Sequence, residues 1–310
     1  MFEDFKWTEE THSCTEVFNS LDGLLNFDEL FKAIKRFKKN ENIIITFLSK
    51  ELLGTGSIWL SRIHRLGIKS YIVFAVDIET STYLKKLNIS NCSIRLKDFS
   101  QENTNYRSKT GFTKRGLSII ALKYPIVKLL LELNLNVILS DVDAIIIKPL
   151  PYEYFENYDI AFQRVLYLPK PLVQVWGFAA CTGFVWFKSS DIIINIVKNC
   201  IEIQKEIYSD QVALNLALWE ENPVWNAPYT VEFKNVKQEF NEIRSFFTNQ
   251  SFRNIDGLSH VSEIKIMALS PDVFWRNSVV TLDWEKVIIF HPNSPKSDIE
   301  KLETFKKYGL

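Results

Sequence analysis

The sequence predicts an α/β protein: a mostly parallel central sheet flanked by helices, with a mixed second half. Two observations carry this. NIIITFLS (42–49) and YIVFAVD (71–77) are short, nearly unbroken apolar runs, the pattern of strands buried on both faces. Each is followed by a stretch of helical periodicity, and strand–helix–strand–helix at this spacing calls for right-handed crossovers in a parallel sheet.

Taken in order, an amphipathic helix is expected over 28–38, then the strand at 42–49. Gly54 and Gly56 mark a loop, and a helix over 57–66 is closed by Gly67 as a C-cap. The strand at 71–77 and a short helix at 80–87 come next. Residues 98–116 are rich in Ser, Thr, Asn and Lys without apolar period and read as a loop. A long helix over 117–133 carries Pro125, which must kink it or divide it. The next buried strand is 136–140. Beyond it the expected strands are 160–163, 183–187, 265–269 and 286–290, and the expected helices 191–207, 210–219 and 297–307. Residues 1–40 are assigned to an N-terminal extension, helical and packed on the domain, and 41–310 to a single domain.

With 46% hydrophobic and 14% aromatic residues, the 310-residue chain has ample material for a core. Lys+Arg and Asp+Glu both number 37, so the balance gives no sign of a globally basic nucleic-acid-binding face. The four cysteines, Cys14, Cys92, Cys181 and Cys200, form no C-x-x-C pair, and buried or free thiols are preferred to a zinc site. The acidic start lacks a signal-peptide core, and no stretch approaches the roughly 18 apolar residues of a membrane span. As given, the chain reads as cytoplasmic; a Golgi or host-cell location stays open if an anchor or export signal lies outside this sequence. The sequons at Asn88, Asn91 and Asn249 carry little weight without secretion.

The sharpest local feature is NVILSDVDAIIIKPLP, residues 136–151. An apolar strand ends in Asp141, Val142 and Asp143 and the apolar run then resumes. In an extended segment residues i and i+2 face one way, so the two carboxylates are expected to share a side. Two carboxylates in one place are costly without a cation, and a hard divalent ion, Mn²⁺ or Mg²⁺, suits oxygen ligands. The bare D-x-D triplet is about as frequent as chance allows, and a solvated acidic turn is its plain alternative. Its position at the carboxyl end of a buried strand, where ligands bind in open parallel sheets, favours the functional reading. A second feature is FHPNSPK (290–296), in which His291 offers an imidazole to the same metal and Lys296 a cation to a phosphate. Alone, a histidine at a strand end is more often an edge residue. The third is Ser209, Asp210 and Gln211 with Asn215 a turn later; spacing alone makes Ser209 or Asp210 a helix N-cap.

In this order the motifs resemble the nucleotide-diphospho-sugar transferases that include plant xylosyl-, galactosyl- and arabinosyltransferases. The shared pattern reads here as Thr46 and Phe47; W-L-x-x-x-x-R-L-G-I from Trp59 to Ile68; Asp77; Lys123 and Lys128 on a helix; and Asp141 to Asp143 with Pro149 following. It continues with C-T-G-F from Cys181 to Phe184, D-Q-x-x-x-N from Asp210 to Asn215, His291 with Asn293, and Lys307 to the terminal Gly309 and Leu310. Pro292 departs from the alanine more usual in the family. The resemblance implies a GT-A type, Rossmann-like fold and a metal-dependent glycosyltransferase. Such an enzyme moves a sugar from a nucleotide-diphosphate donor (a UDP-sugar) to an acceptor hydroxyl with retention. It further implies Thr46 and Phe47 at the uridine and Asp77 near the ribose or base, with Lys123 among the donor-binding residues. Asp141, Asp143 and His291 would bind Mn²⁺ or Mg²⁺, with Lys296 on the diphosphate, and Asp210 and Gln211 would face the transferred sugar. The acceptor, a glycan, a protein or another hydroxyl compound, is left open.

Two other readings compete. A sugar-nucleotide pyrophosphorylase or related nucleotidyltransferase expects a glycine-rich phosphate loop with a basic residue directly after the first strand; here only Gly54 and Gly56 follow, and Arg62 is too distant. A non-catalytic nucleotide-sugar-binding module is opposed by the intact Asp141, Asp143, His291 and Lys296.

Overall fold

The computed structural model describes residues 21, 24–94, 114–165, 169–226, 254–276, 282–292 and 297–310. Strands β1 (Asn42–Leu48), β2 (Tyr71–Ala75), β3 (Asn91–Ser93) and β4 (Asn136–Ser140) run parallel in the order β3-β2-β1-β4. The chain builds outward from β1 and then returns to its other side as β4. That reversal is the place where an open sheet forms a crevice at the strands' carboxyl ends.

The second half is mixed. β7 (Ala179–Phe187) runs antiparallel between β4 and β6 (Ile160–Val165), and β10 (Lys265–Leu269) runs parallel to β6. Two antiparallel strands, β9 (Ile255–Ser259) and β8 (Pro223–Trp225), complete a nine-stranded sheet. A separate three-stranded sheet joins β11 (Phe274–Arg276), β12 (Ile289–His291) and β5 (Ile145–Ile146). The observed architecture is therefore the α/β arrangement expected, a large mixed sheet between helical layers.

Alternation along the strands divides the core in two. Ile43, Ile45 and Phe47 face helices α1 (Phe27–Ile34), α4 (Lys114–Glu132), α6 (Asp191–Ile207) and α7 (Asp210–Glu220). Ile44 and Leu48 face α2 (Leu53–Arg65), α3 (Ile78–Lys86), α8 (Asp298–Lys307) and the small sheet. A further short helix, α5 (Lys170–Trp176), ends at Gly177, whose φ of 79° suits the left-handed cap.

Several boundaries differ from the sequence reading for local reasons. The first helix spans 27–34 rather than 28–38, opening at Asn26, whose side chain accepts from the Glu29 amide. The second starts at Leu53, so Gly54 and Gly56 lie inside it: a Cβ on Gly56 would meet Leu48 at 2.6 Å. Gly67 does follow the helix end, with φ 67°. Strand β2 stops at Ala75, because Asp77 is committed to capping α3. The Pro125 helix is one continuous element from 114, which takes in the last residues of the expected 98–116 loop; residues 95–113 lie outside the described residues. The strand expected at 286–290 is only 289–291, since the Lys286 and Val287 amides fold back onto the Asp283 carbonyl in a turn. Strands β3, β5, β8, β9 and β11 and helix α5 were not anticipated. Most are three residues or fewer, too short to show a period.

Helix α8 is fastened to α2 by one side chain. Asp298 accepts from the Gly54 amide (2.8 Å), the Thr55 amide (2.8 Å) and the Thr55 hydroxyl (2.6 Å), satisfying donors at the start of α2 that have no intrahelical partner. Asp298→Ala is expected to lower stability by about 1–3 kcal/mol, the cost of leaving such groups unmade. Urea denaturation of the two proteins measures it.

Candidate active site

The carboxylates of Asp141 and Asp143 lie just past the carboxyl end of β4. Their convergence has a different origin from the extended alternation expected: the Ala144 amide donates to the Asp141 carbonyl at 2.9 Å, so 141–144 is a turn. Val142 is buried in the core facing α2 and α8. The apolar run after the turn is β5, which leaves the main sheet to pair with β12: Ile145 opposes Phe290 and Ile146 opposes Ile289. The same pairing brings His291 back to the turn. Ligand atoms of Asp141, Asp143 and His291 all lie within 4.8 Å of one another, the one such cluster of three or more His, Cys, Asp or Glu among the described residues. Two hard carboxylates and an imidazole in a largely buried recess fit a divalent ion such as Mn²⁺ or Mg²⁺.

The histidine is oriented by Gln163, a residue the sequence reading did not single out. The Gln163 amide nitrogen donates to the carbonyls of Phe274 (3.0 Å) and Trp275 (2.9 Å), which turns its oxygen toward His291 Nδ1 at 2.8 Å. That oxygen only accepts, so Nδ1 carries the proton and Nε2 faces Asp143, 3.5 Å from Oδ1. Gln163 owes its place to a register shift between β6 and β7, where Phe162 opposes Val185 but Gln163 opposes Cys181. Gly183 lies within that irregularity. A Cβ there would stand 1.9 Å from the His291 ring, and its carbonyl accepts from the Asp141 amide at 2.8 Å. The glycine of C-T-G-F is thus a close-approach glycine. Arg276, also unanticipated, donates to the carbonyls of His291 (3.3 Å) and Pro292 (3.1 Å), holding the chain where it leaves β12.

Lys123, Asp141 and Asp210 form the second half of the site. Lys123 Nζ is 2.7 Å from Asp141 Oδ1 and 2.7 Å from Asp210 Oδ2. Ser209 is the N-cap of α7, accepting from the Val212 amide, so the Asp210 carboxylate is not spent on capping. Its own first oxygen accepts from the Gln211 amide at 2.8 Å, and Tyr124 donates to the Asp210 carbonyl at 2.6 Å. Asn215 supplies the reason for D-Q-x-x-x-N. Where β4 has ended, the Asn215 amide takes over as partner of β7, accepting from the Ala180 amide and donating to the Ala180 carbonyl, both at 2.8 Å. A further bond to the Gln211 carbonyl at 2.7 Å ties this clamp to the first turn of α7.

Ionisation follows the packing. Burial opposes the charge on Asp143, yet Lys301 on α8 and His291 hold its carboxyl well below the usual range. Burial and Arg276 push the His291 pKa down; its bonds to Asp143 and Cys181 outweigh them and the net shift is upward. Burial pushes the Cys181 thiol up, but Arg276 and His291 bring it below the ordinary cysteine value. Lys123 is likewise held in its charged form against burial by Asp141 and Asp210.

The remaining expected site residues stand apart from this cluster. Thr46 is fully buried in β1 with its hydroxyl unpaired, and Phe47 is buried against Phe74, ring centroids 5.3 Å apart. The Asp77 carboxylate accepts from the amides of Thr80 (2.7 Å) and Lys50 (2.9 Å), pinning the segment after β1 to the start of α3. All three sit toward the carboxyl ends of β1 and β2, the edge of the sheet that carries Asp141. Lys128 makes an exposed ion pair with Glu132. Lys296 lies outside the described residues.

An acid-and-histidine cluster at the switch point of a mixed α/β sheet is a site suited to a charged ligand held through a cation. The chain belongs to the nucleotide-diphospho-sugar transferase family, whose model residues 66–304 match. An arabinosyltransferase of Arabidopsis thaliana is 21% identical over 119 residues, 38% of this chain, and the matched part spans only 28% of that relative. Among solved structures, the bifunctional glycosyltransferase WbbM overlaps 58% of this chain and 38% of its own, with 12% identity and a TM-score of 0.41. Mouse xyloside xylosyltransferase 1 overlaps 58% of this chain and 82% of its own, at 12% identity and a TM-score of 0.38. These partial overlaps assign no substrate. Among the described residues no helix is long and apolar enough to cross a membrane.

Two substitutions test the geometry of the histidine. If the cluster holds a divalent ion, Gly183→Ala and Gln163→Met are each expected to weaken Mn²⁺ binding about 10- to 100-fold, the usual effect of disturbing a ligand's support. Calorimetric Mn²⁺ titration with circular dichroism as a fold control reads both. With His291 as a ligand, its raised pKa means that Mn²⁺ affinity should fall with decreasing pH from above the ordinary histidine range, since a protonated imidazole cannot ligate. Titrations across a pH series locate the midpoint.

Proposed function

We propose that the protein is a metal-dependent glycosyltransferase that moves a sugar from a nucleotide-diphosphate donor, a UDP-sugar, to an acceptor hydroxyl with retention of configuration. The observation that carries this reading is the convergence of Asp141, Asp143 and His291 within 4.8 Å, beside an Asp210 that Lys123 joins to Asp141. Family membership supports the transferase over the nucleotidyltransferase alternative.

Mn²⁺ or Mg²⁺, held by Asp141, Asp143 and His291, would supply Lewis acidity to neutralise charge developing on the departing diphosphate. Lys296 follows His291 closely enough in sequence to add a charge-assisted contact to the same oxygens. Thr46, Phe47 and Asp77, at the ends of β1 and β2, are assigned to the nucleoside. Asp210 and Gln211 open α7 beside Asp141 and are assigned to the transferred sugar, where a carboxylate favours positive character at the anomeric carbon. Lys123 lies 2.7 Å from a carboxylate oxygen of each of Asp141 and Asp210, placing a cation between two carboxylates that would otherwise repel. The acceptor hydroxyl is held in line, which is a matter of positioning.

A screen of UDP- and GDP-sugars for Mn²⁺-dependent nucleotide release tests the reading. Release from a UDP-sugar should be abolished by chelation and by Asp141→Asn or Asp143→Asn. Release that persists in both variants would sink the metal assignment.

Asp210 and Ser209 make a second, paired test. Ser209→Ala removes the cap and should cost about 1 kcal/mol of stability with turnover near wild type. Asp210→Asn should lower kcat about 100-fold or more while the cap remains. Denaturation curves and turnover on the identified donor separate the two roles, and near-normal turnover in Asp210→Asn would remove it from the chemistry.

A further inference from the structure

Lys301 was not among the residues the sequence singled out, yet its ammonium contacts Asp143 Oδ2 inside the cluster. Its side chain is only 9% exposed, and that of Asp143 only 13%. The lysine cannot be withdrawn cheaply by moving its helix, because Asp298, three residues earlier, is bonded to the Gly54 and Thr55 amides and the Thr55 hydroxyl at the start of α2. Phe305, one turn further along α8, is fully buried against Phe290 of β12. A fixed positive charge therefore stands at the carboxylate that a divalent ion would use.

Charge makes the consequence definite. Asp141, Asp143 and Asp210 contribute three negative charges, and Lys123 and Lys301 contribute two positive ones. These charges are close to balanced. A divalent ion arriving alone must displace Lys301 from Asp143 and then remain beside its ammonium in a recess of low dielectric. A diphosphate arriving with the ion brings enough negative charge to offset both.

We propose that Lys301 is an internal counter-cation that competes with a free divalent ion for Asp143 and makes cation binding conditional on the nucleotide diphosphate. This rests on the assignment of Asp141, Asp143 and His291 as metal ligands. A merely structural ion pair would behave differently: its removal would cost stability without tightening the hold on an ion.

The test is calorimetric titration of the full chain with Mn²⁺, with and without saturating UDP, for the wild type, Lys301→Met and Lys301→Gln. Wild type should bind free Mn²⁺ weakly, with UDP tightening it about tenfold or more. Both variants should bind free Mn²⁺ about tenfold tighter than wild type, and the gain from UDP should shrink correspondingly. The glutamine variant keeps a hydrogen-bond donor for Asp143, so it reports if the methionine variant fails to fold. Free-Mn²⁺ affinity unchanged or weakened in the folded variants overturns the proposal, as does an undiminished gain from UDP. Asp143→Asn separates the two levels. If it abolishes Mn²⁺ binding in the presence of UDP while the Lys301 variants match wild type, only the role of Lys301 fails. If binding survives Asp143→Asn, the metal assignment fails, and this proposal with it.

Discussion

Three carboxylates crowded into one recess are the constraint around which this molecule is arranged. Asp141 and Asp210 share Lys123 and Asp143 contacts Lys301, so the chain itself sets a cation against each of the three. Lys123 comes from α4 and Lys301 from α8, helices that pack on opposite faces of the large sheet, and their ammonium groups reach the aspartates just past β4. Both lysines are buried, so the charge balance of the site is tied to how the two helical layers pack. Removing a single partner would leave a buried charge uncompensated, which costs far more than the pair itself contributes.

Backbone irregularity does the remaining positioning. The parallel half of the sheet is regular, and the chain departs from regularity where the site begins: β4 gives way to a turn, β7 slips register against β6, and the side chain of Asn215 stands in for a missing strand. Each departure answers a need. The turn aims two carboxylates inward, the slip at Gly183 makes room for an imidazole, and the asparagine sets the first turn of α7 beside β4. The small sheet of β11, β12 and β5 closes the circuit by bonding the turn's own continuation to the strand that ends in His291.

Much of this was legible in the sequence. Long apolar runs announced the parallel strands, and D-x-D, His291 and D-Q-x-x-x-N marked residues that the fold gathers into one place, with Lys123 between them. What escaped was information that side-chain period does not carry. Strands of two or three residues such as β5 and β11 have no period to read. Gln163 looks like any polar residue in a strand, and its importance comes from a register shift defined by a segment twenty residues away. Lys301 sits among five other basic or acidic neighbours in DIEKLETFKK and reads as part of a solvated helix face, although the fold buries it. Asp77 shows the converse: a carboxylate whose nearest duties, in this structure, are two backbone amides.

The separation of the ligands along the chain also bears on how the protein comes into being. Asp141 and His291 are 150 positions apart, and the strand holding the histidine pairs with one that directly follows the aspartates. Contacts of such span form late in folding, since the closure of a long loop must precede them. On a ribosome the carboxylate pair would emerge well before either Lys301 or His291 exists to meet it. The nascent parallel half then has Lys123 for Asp141 but no lysine for Asp143, and only arrival of the last segments completes the centre.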